Sequence, residues 1–275
     1  MANGFTLLNL AVRAGHTELA KYLIDKGADL NSQTNEKMTP MMFAVLHDRK
    51  EIEEMLTKEG TEKDIFTETI RGDIQAVSRY LIEEPNLIQQ YRGHFSPLHW
   101  AAYKGHYEMV KMLIEKGADV QGHKEYASPL FWAVRYNRAD IAKLLLDNGA
   151  DINLRNTQGQ SSLFISARVQ ITNFLLENGA DPKIIDKSGN TPLHLIGTKH
   201  MHQEAVRTII DFNEFQNFPQ PENVVQEAVK EQLGVARLLI EFGADPNLKN
   251  KEGKTALDFA REGGFEPIIR FFSQY

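Results

Sequence analysis

Nine histidines and no cysteine define the chemistry open to this chain. Without a thiol there is no sulfur nucleophile, no disulfide framework and no zinc ribbon. The one cluster with metal-ligand content is His200-x-His202 followed by Glu204. Its spacing is not the i, i+4 pair that sets two imidazoles on one helix face, and no fourth ligand stands near it. It reads as a solvated turn. No glycine-rich phosphate loop, nucleophile elbow or dinucleotide fingerprint occurs. The expectation is a chain without catalytic residues, without a metal and without a cofactor. What does recur is recognition chemistry. Trp100 and Trp132 are followed closely by Tyr103 and Tyr136, beside the cations Lys104 and Arg135. Tryptophan, tyrosine and arginine are the types enriched at binding hot spots.

The elements that position these residues follow from a repeat. Gly-Ala-Asp occurs at Gly27, Gly117, Gly149, Gly179 and Gly243, and Gly60 opens a related Gly-Thr-Glu. Gly27 to Gly60 is 33 residues, Gly117 to Gly149 is 32 and Gly149 to Gly179 is 30. After most of these glycines comes a second marker: Thr39-Pro40-Met41, Ser96-Pro97-Leu98-His99, Ser128-Pro129-Leu130, Thr191-Pro192-Leu193-His194 and Thr255-Ala256-Leu257. Each marker predicts a helix start, with Ser or Thr as cap and Pro in the first turn. Gly105-His106 breaks the first helix of its unit, Tyr107–Glu115 forms the second, and Gly117 ends it in a left-handed conformation. Met109, Val110, Leu113 and Ile114 give that second helix a buried stripe, and Ala101-Ala102 admits a close neighbour.

The period and its punctuation resemble the ankyrin-repeat family over essentially the whole chain. The resemblance implies an all-α solenoid of stacked helix-turn-helix units with short hairpin tips, elongated and curved. We read residues 1–275 as a single domain of nine units: Phe5–Lys37, Met38–Gly60, Thr61–Gly93, His94–Tyr126, Ala127–Gln158, Gly159–Lys187, Ser188–Pro221, Glu222–Glu252 and Gly253–Tyr275. The third lacks the Thr-Pro-Leu-His marker, and in the sixth Ala167-Arg168-Val169-Gln170 replaces the inter-helix turn. The seventh loses its Gly-Ala-Asp, and an irregular connection near 212–222 carries Phe212, Phe215 and Phe218, which we expect to fold back on neighbouring helices. In the family His99 and His194 satisfy local backbone groups, as do His16 and His106 after the inter-helix glycine. Asn31, Asn153 and Asn247 read as turn formers, and His94 and His123 fall in tips.

The resemblance also implies that first helices and tips line a concave groove where partners bind. Groove-side positions before the inter-helix turn read Arg13, His47, Arg71, Lys104, Arg135, Arg168, Lys199 and Lys230, with Arg261 near the corresponding place. A helix C-terminus favours a cation by about 0.3–1 kcal/mol, which explains part of this ladder. It does not explain the aromatics beside it. The expected partner-binding set is Arg71, Tyr91, Arg92, Trp100, Tyr103, Lys104, Lys124, Tyr126, Trp132, Arg135, Tyr136 and Arg168. The expected function is non-catalytic: a protein-protein interaction module gripping an acidic or aromatic-bearing segment of another protein. The alternatives are an inhibitor or immunity-type binder of a single enzyme, and the ankyrin part of a bacterial effector acting in a host cell.

Composition agrees with this class. The 275 residues hold 31 Lys+Arg against 37 Asp+Glu, a formal charge of −6, with 42% hydrophobic residues. That is globular composition, and the acidic total argues against nucleic acid as a partner. No stretch approaches the roughly 18 apolar residues of a membrane span. Met1-Ala2-Asn3-Gly4-Phe5 starts no basic segment with an apolar run behind it. We expect a monomer in the cytoplasm, or in a host cytoplasm if the chain is a secreted effector. Unit one carries Leu7, Leu8, Leu10, Leu19 and Leu23 with no unit before it in this sequence, so that end is either covered by a partner or marginal. Native-state hydrogen exchange should show units one to three opening before units four and five; uniform protection would refute that order.

Overall fold

The computed structural model describes residues 2–122, 127–209 and 222–275, and the fold below is that of these residues. His123 and the segment with Phe212, Phe215 and Phe218 lie outside them. Two compact units emerge, Met1–Asp119 and Val120–Tyr275. The first holds four helix pairs: α1 (Leu7–Ala14) with α2 (Thr17–Asp25), α3 (Pro40–Leu46) with α4 (Lys50–Lys58), α5 (Ile65–Arg71) with α6 (Ile74–Glu83), and α7 (Pro97–Lys104) with α8 (Tyr107–Glu115). First helices pack in a row, α1 on α3, α3 on α5 and α5 on α7, while α2 lies on α4 and α6 on α8. Leu8, Val12, Met41, Met42, Ile65, Ile70, Leu98 and Leu113 fill the core between them. No strand forms among the described residues. The expected hairpin tips are represented there by one isolated antiparallel bridge, Arg92 with Phe95.

Local chemistry explains the starts of the first helices. The Ser96 hydroxyl lies 2.7 Å from His99 Nδ1, and Thr191 Oγ1 lies 2.9 Å from His194 Nδ1, so both marker histidines serve their helix caps. They are 0% and 1% exposed, which removes them from solvent chemistry. His106 reaches back to the Ile70 carbonyl at 2.9 Å. The third repeat, without the marker, starts α5 by other means: Asp64 accepts from the Thr67 N–H at 2.9 Å while Thr67 Oγ1 accepts from the Asp64 N–H at 2.7 Å. That is a reciprocal capping box.

The second unit is less regular. The pair α9 (Pro129–Arg135) and α10 (Ala139–Asp147) keeps the pattern, but the sixth repeat has only a 3₁₀ turn, Ser162–Ile165, before α11 (Val169–Glu177). Then come α12 (Pro192–Leu195), α13 (Lys199–Ile209), α14 (Glu222–Glu241), α15 (Ala256–Gly263) and α16 (Glu266–Phe272). Where two helices are expected in the eighth repeat, α14 runs unbroken for 20 residues. Lys230 therefore sits inside a helix and not at an inter-helix turn. Likewise Arg168 precedes α11 as its N-cap residue, so the helix-end charge argument does not apply to it.

Side-chain amides tie successive turns together. Asn153 donates to the Gly179 carbonyl at 3.1 Å and accepts from the Asp181 N–H at 2.9 Å. Gln121 makes the same bridge to Gly149 and Asp151, and Gln89 to Gly117 and Asp119. Asn153 is thus a link between repeats as well as a turn former. The glycine at each helix end has a different reason. Gly117 has φ 91°, and a Cβ built there would meet nothing within 4 Å. Conformation, not space, requires it. Gly117→Ala should cost about 1 kcal/mol from left-handed strain, read as a lower urea midpoint with an unchanged circular dichroism spectrum.

Candidate functional site

The cationic ladder is largely internal. In the first unit Arg71 pairs with Glu53 and, at 3.2 Å, with Glu68, and Lys63 reaches Glu53 at 3.0 Å. Glu53 and Glu68 are only 9% and 6% exposed. Burial alone would raise the Glu53 carboxyl, but the hydrogen bonds from Arg71 and Lys63 outweigh it and hold its pKa below the ordinary value. Arg92 pairs with Asp64 and lies over the Phe66 ring at 4.7 Å. In the second unit Arg135 donates to Glu204 at 2.9 Å, and Arg168 stands 3.6 Å from Glu231. Glu231 also accepts the Val169 N–H at 2.7 Å, capping α11 from α14. Four of the expected partner-binding cations, Arg71, Arg92, Arg135 and Arg168, therefore meet carboxylates of their own chain.

The aromatics divide in the same way. Trp100 is 4% exposed and stacks on Phe95 with centroids 4.4 Å apart, so it is core and not a contact surface. Tyr103 is half-buried, its ring edge-on to Trp100 at 5.6 Å, with Phe95 at 6.4 Å. Tyr91 is half-buried against His99. In the second unit Trp132 and Tyr136 are both half-buried and stacked at 6.3 Å, and the Arg135 guanidinium lies 5.5 Å from the Trp132 ring. Lys104 is half-buried and reaches the Leu46 carbonyl at 3.4 Å, at the end of α3. Lys124 and Tyr126 lie outside the described residues. The structure brings Tyr91, Tyr103 and Lys104 together in one unit and Trp132, Arg135 and Tyr136 in the other.

The profile described as Ankyrin repeats (3 copies) matches residues 1–67, 69–156 and 163–250, well over half of the chain. The chain belongs to the ankyrin-repeat family. The ankyrin repeat protein YahD of Escherichia coli (strain K12) is 45% identical over 47 residues, which are 17% of this chain and 23% of YahD. The match therefore spans under a quarter of that relative's length. The ankyrin repeat protein FPV223 of Fowlpox virus (strain NVSL) is 29% identical over 120 residues, 41% of this chain and 85% of FPV223.

Within this ankyrin-repeat chain the histidine-rich cluster is not the turn expected from sequence. His202 and Glu204 lie inside α13, where successive positions diverge around the helix. His202 contacts Gln232 at 3.0 Å and packs on Phe265, while Glu204, 2% exposed, receives Arg135. Among the described residues no group of three or more His, Asp or Glu side chains could hold a metal ion, and no helix is long and apolar enough to cross a membrane. The residues that sequence reasoning missed are the carboxylates that hold the arginines, Glu53, Glu68 and Glu204, which are buried, and Glu231, which is half-buried. The available signal was a glutamate inside an apolar run, as in Ile65–Ile70. Arg135→Leu takes a donor from a buried carboxylate and should cost about 1–3 kcal/mol. Lys230→Leu at an exposed site should stay within about 0.5 kcal/mol by the same urea denaturation.

Proposed function

We propose that this chain is a non-catalytic protein-binding module that docks an apolar or aromatic segment of a partner at Tyr103 in the first unit, Tyr136 in the second unit being a separate contact of the same kind. Ankyrin repeats generally mediate protein-protein interaction, and the match over most of the chain supports that class. The observation that carries the finer reading is a half-buried tyrosine held on a tryptophan in each unit. A ring fixed by its own chain loses little freedom when a partner covers it, which is how aromatic anchors concentrate binding energy. In the second unit Arg135 lies against the Trp132 ring and is occupied by Glu204, so it supports that ring and does not reach for the partner. Lys104 follows Tyr103 at the end of the same helix.

A photo-crosslinking side chain at position Tyr103 should give a discrete partner adduct, and the same probe at exposed Lys111 on α8 should not. Tyr103→Ala should weaken binding of the partner so identified by about 2 kcal/mol or more. Loss of the ring contact should cost only about 0.5–1.5 kcal/mol of stability. Equal crosslinking at both positions, or unaltered affinity of Tyr103→Ala by calorimetry, would sink the assignment.

A further inference from the structure

Not every cation of the first unit is neutralised. Arg71 and Arg92 have their carboxylates, whereas Arg13 and Arg49 form no ion pair among the described residues. Arg49 stands at the start of α4, with its guanidinium against Gly15: a Cβ there would lie 2.7 Å from Arg49 Cζ. Its Nε is buried without an acceptor, which native structures seldom leave unexplained. Arg13, two residues before Gly15, lies over Phe5 at 5.6 Å. Phe5 stacks on Phe43 at 5.5 Å, and Phe43 on His47 at 6.4 Å. Glycine and the aromatic row thus bring two guanidinium groups into the field of one imidazole.

We infer that this end of the first unit binds a doubly charged oxyanion, a phosphoryl or sulfate group, with Arg13 and Arg49 as its guanidinium ligands and the His47 ring beside them. The planar guanidinium fork matches tetrahedral oxyanions and makes paired charge-assisted hydrogen bonds. Against this stand the C-termini of α1, α3 and α7, each carrying about half a negative charge. Lys104 already meets one of them at the Leu46 carbonyl. Those partial charges answer only part of the cationic charge, and neither Arg13 nor Arg49 has a carboxylate partner among the described residues.

His47 reports on this site. Burial first, then the charges of Arg49, Arg13 and Lys104, lower its pKa from 6.5 to about 4. The other charged groups on the elements around it are Asp48 on its own turn, Lys50, Glu51, Glu53, Glu54 and Lys58 on α4, and Glu68 and Arg71 on α5, of which Arg71 is tied to Glu53 and Glu68. A bound dianion favours the imidazolium and raises that pKa, so binding takes up a proton and tightens as pH falls from 7 towards 5. Sulfate remains dianionic through this window, so its own titration does not interfere.

The test is a sulfate titration of the full chain at constant ionic strength, followed by the histidine ring signals in NMR. Sulfate should raise the His47 pKa above about 4 saturably, and Arg13→Gln and Arg49→Gln should each weaken half-saturation about tenfold. Lys230→Gln should not. Arg13 is exposed, so its variant carries the test if the packed Arg49 variant unfolds. A His47 that titrates alike in sulfate and chloride overturns the proposal, as does unchanged saturation in Arg13→Gln. A phosphoserine peptide library against inorganic phosphate then separates the sources. Tighter peptide binding assigns the group to a phosphorylated side chain, and equal binding assigns a free oxyanion. No protein partner enters the sulfate titration, so its failure and a failure of crosslinking at Tyr103 are separate results.

Discussion

Helices of seven to nine residues are too short to stand alone in water, where even good helix formers need about 12–15 residues. In the first unit every helix except the ten-residue α6 falls in that range. Each must therefore lay its apolar stripe on the next pair, and the row α1, α3, α5, α7 follows from that need. Tight caps and left-handed glycines serve the same end. They stop each of these helices within three turns and return the chain to stack again.

Close stacking has an electrostatic consequence. A carboxylate caught between repeats loses water and needs a cation in place of it. Glu53, Glu68 and Glu204 are all nearly buried; arginines from neighbouring elements meet Glu53 and Glu204, and Glu68 meets Arg71 of its own helix. A ladder that looks like a basic docking face on paper is thus largely part of the scaffold. Arg13 and Arg49 are left without an ion pair among the described residues. The two recognition sites we propose are of different kinds, an aromatic contact held on tryptophan and a cationic one held on an aromatic row.

The second unit departs from the pattern where side chains can substitute for missing turns. The 3₁₀ turn Ser162–Ile165 takes the place of a first helix, and Glu231 on α14 caps α11 in place of a local residue. Gln232, fully buried on the same helix, accepts the Gly197 N–H at 3.0 Å and meets His202 at 3.0 Å. A continuous 20-residue helix can supply both contacts because it passes α11, α12 and α13 in turn.

What the sequence alone determined were the features written within three or four residues. The helix starts at Ser96 and Thr191, the left-handed Gly117 and the role of His99 and His194 in capping were all legible, because caps and backbone conformation are local. The family followed from their period. The merger of the eighth repeat into α14 was not legible, since its interior holds no Pro and its one glycine, Gly234, is tolerated in a helix. Nor was the fate of the charges. Arg71 finds Glu53 across 18 residues and Arg135 finds Glu204 across 69. Only the tertiary structure decided that these cations are spent internally and that Trp100 is core. Ion pairing and burial depend on which helix faces come together in space, and that is set by packing between repeats rather than by the pattern within one.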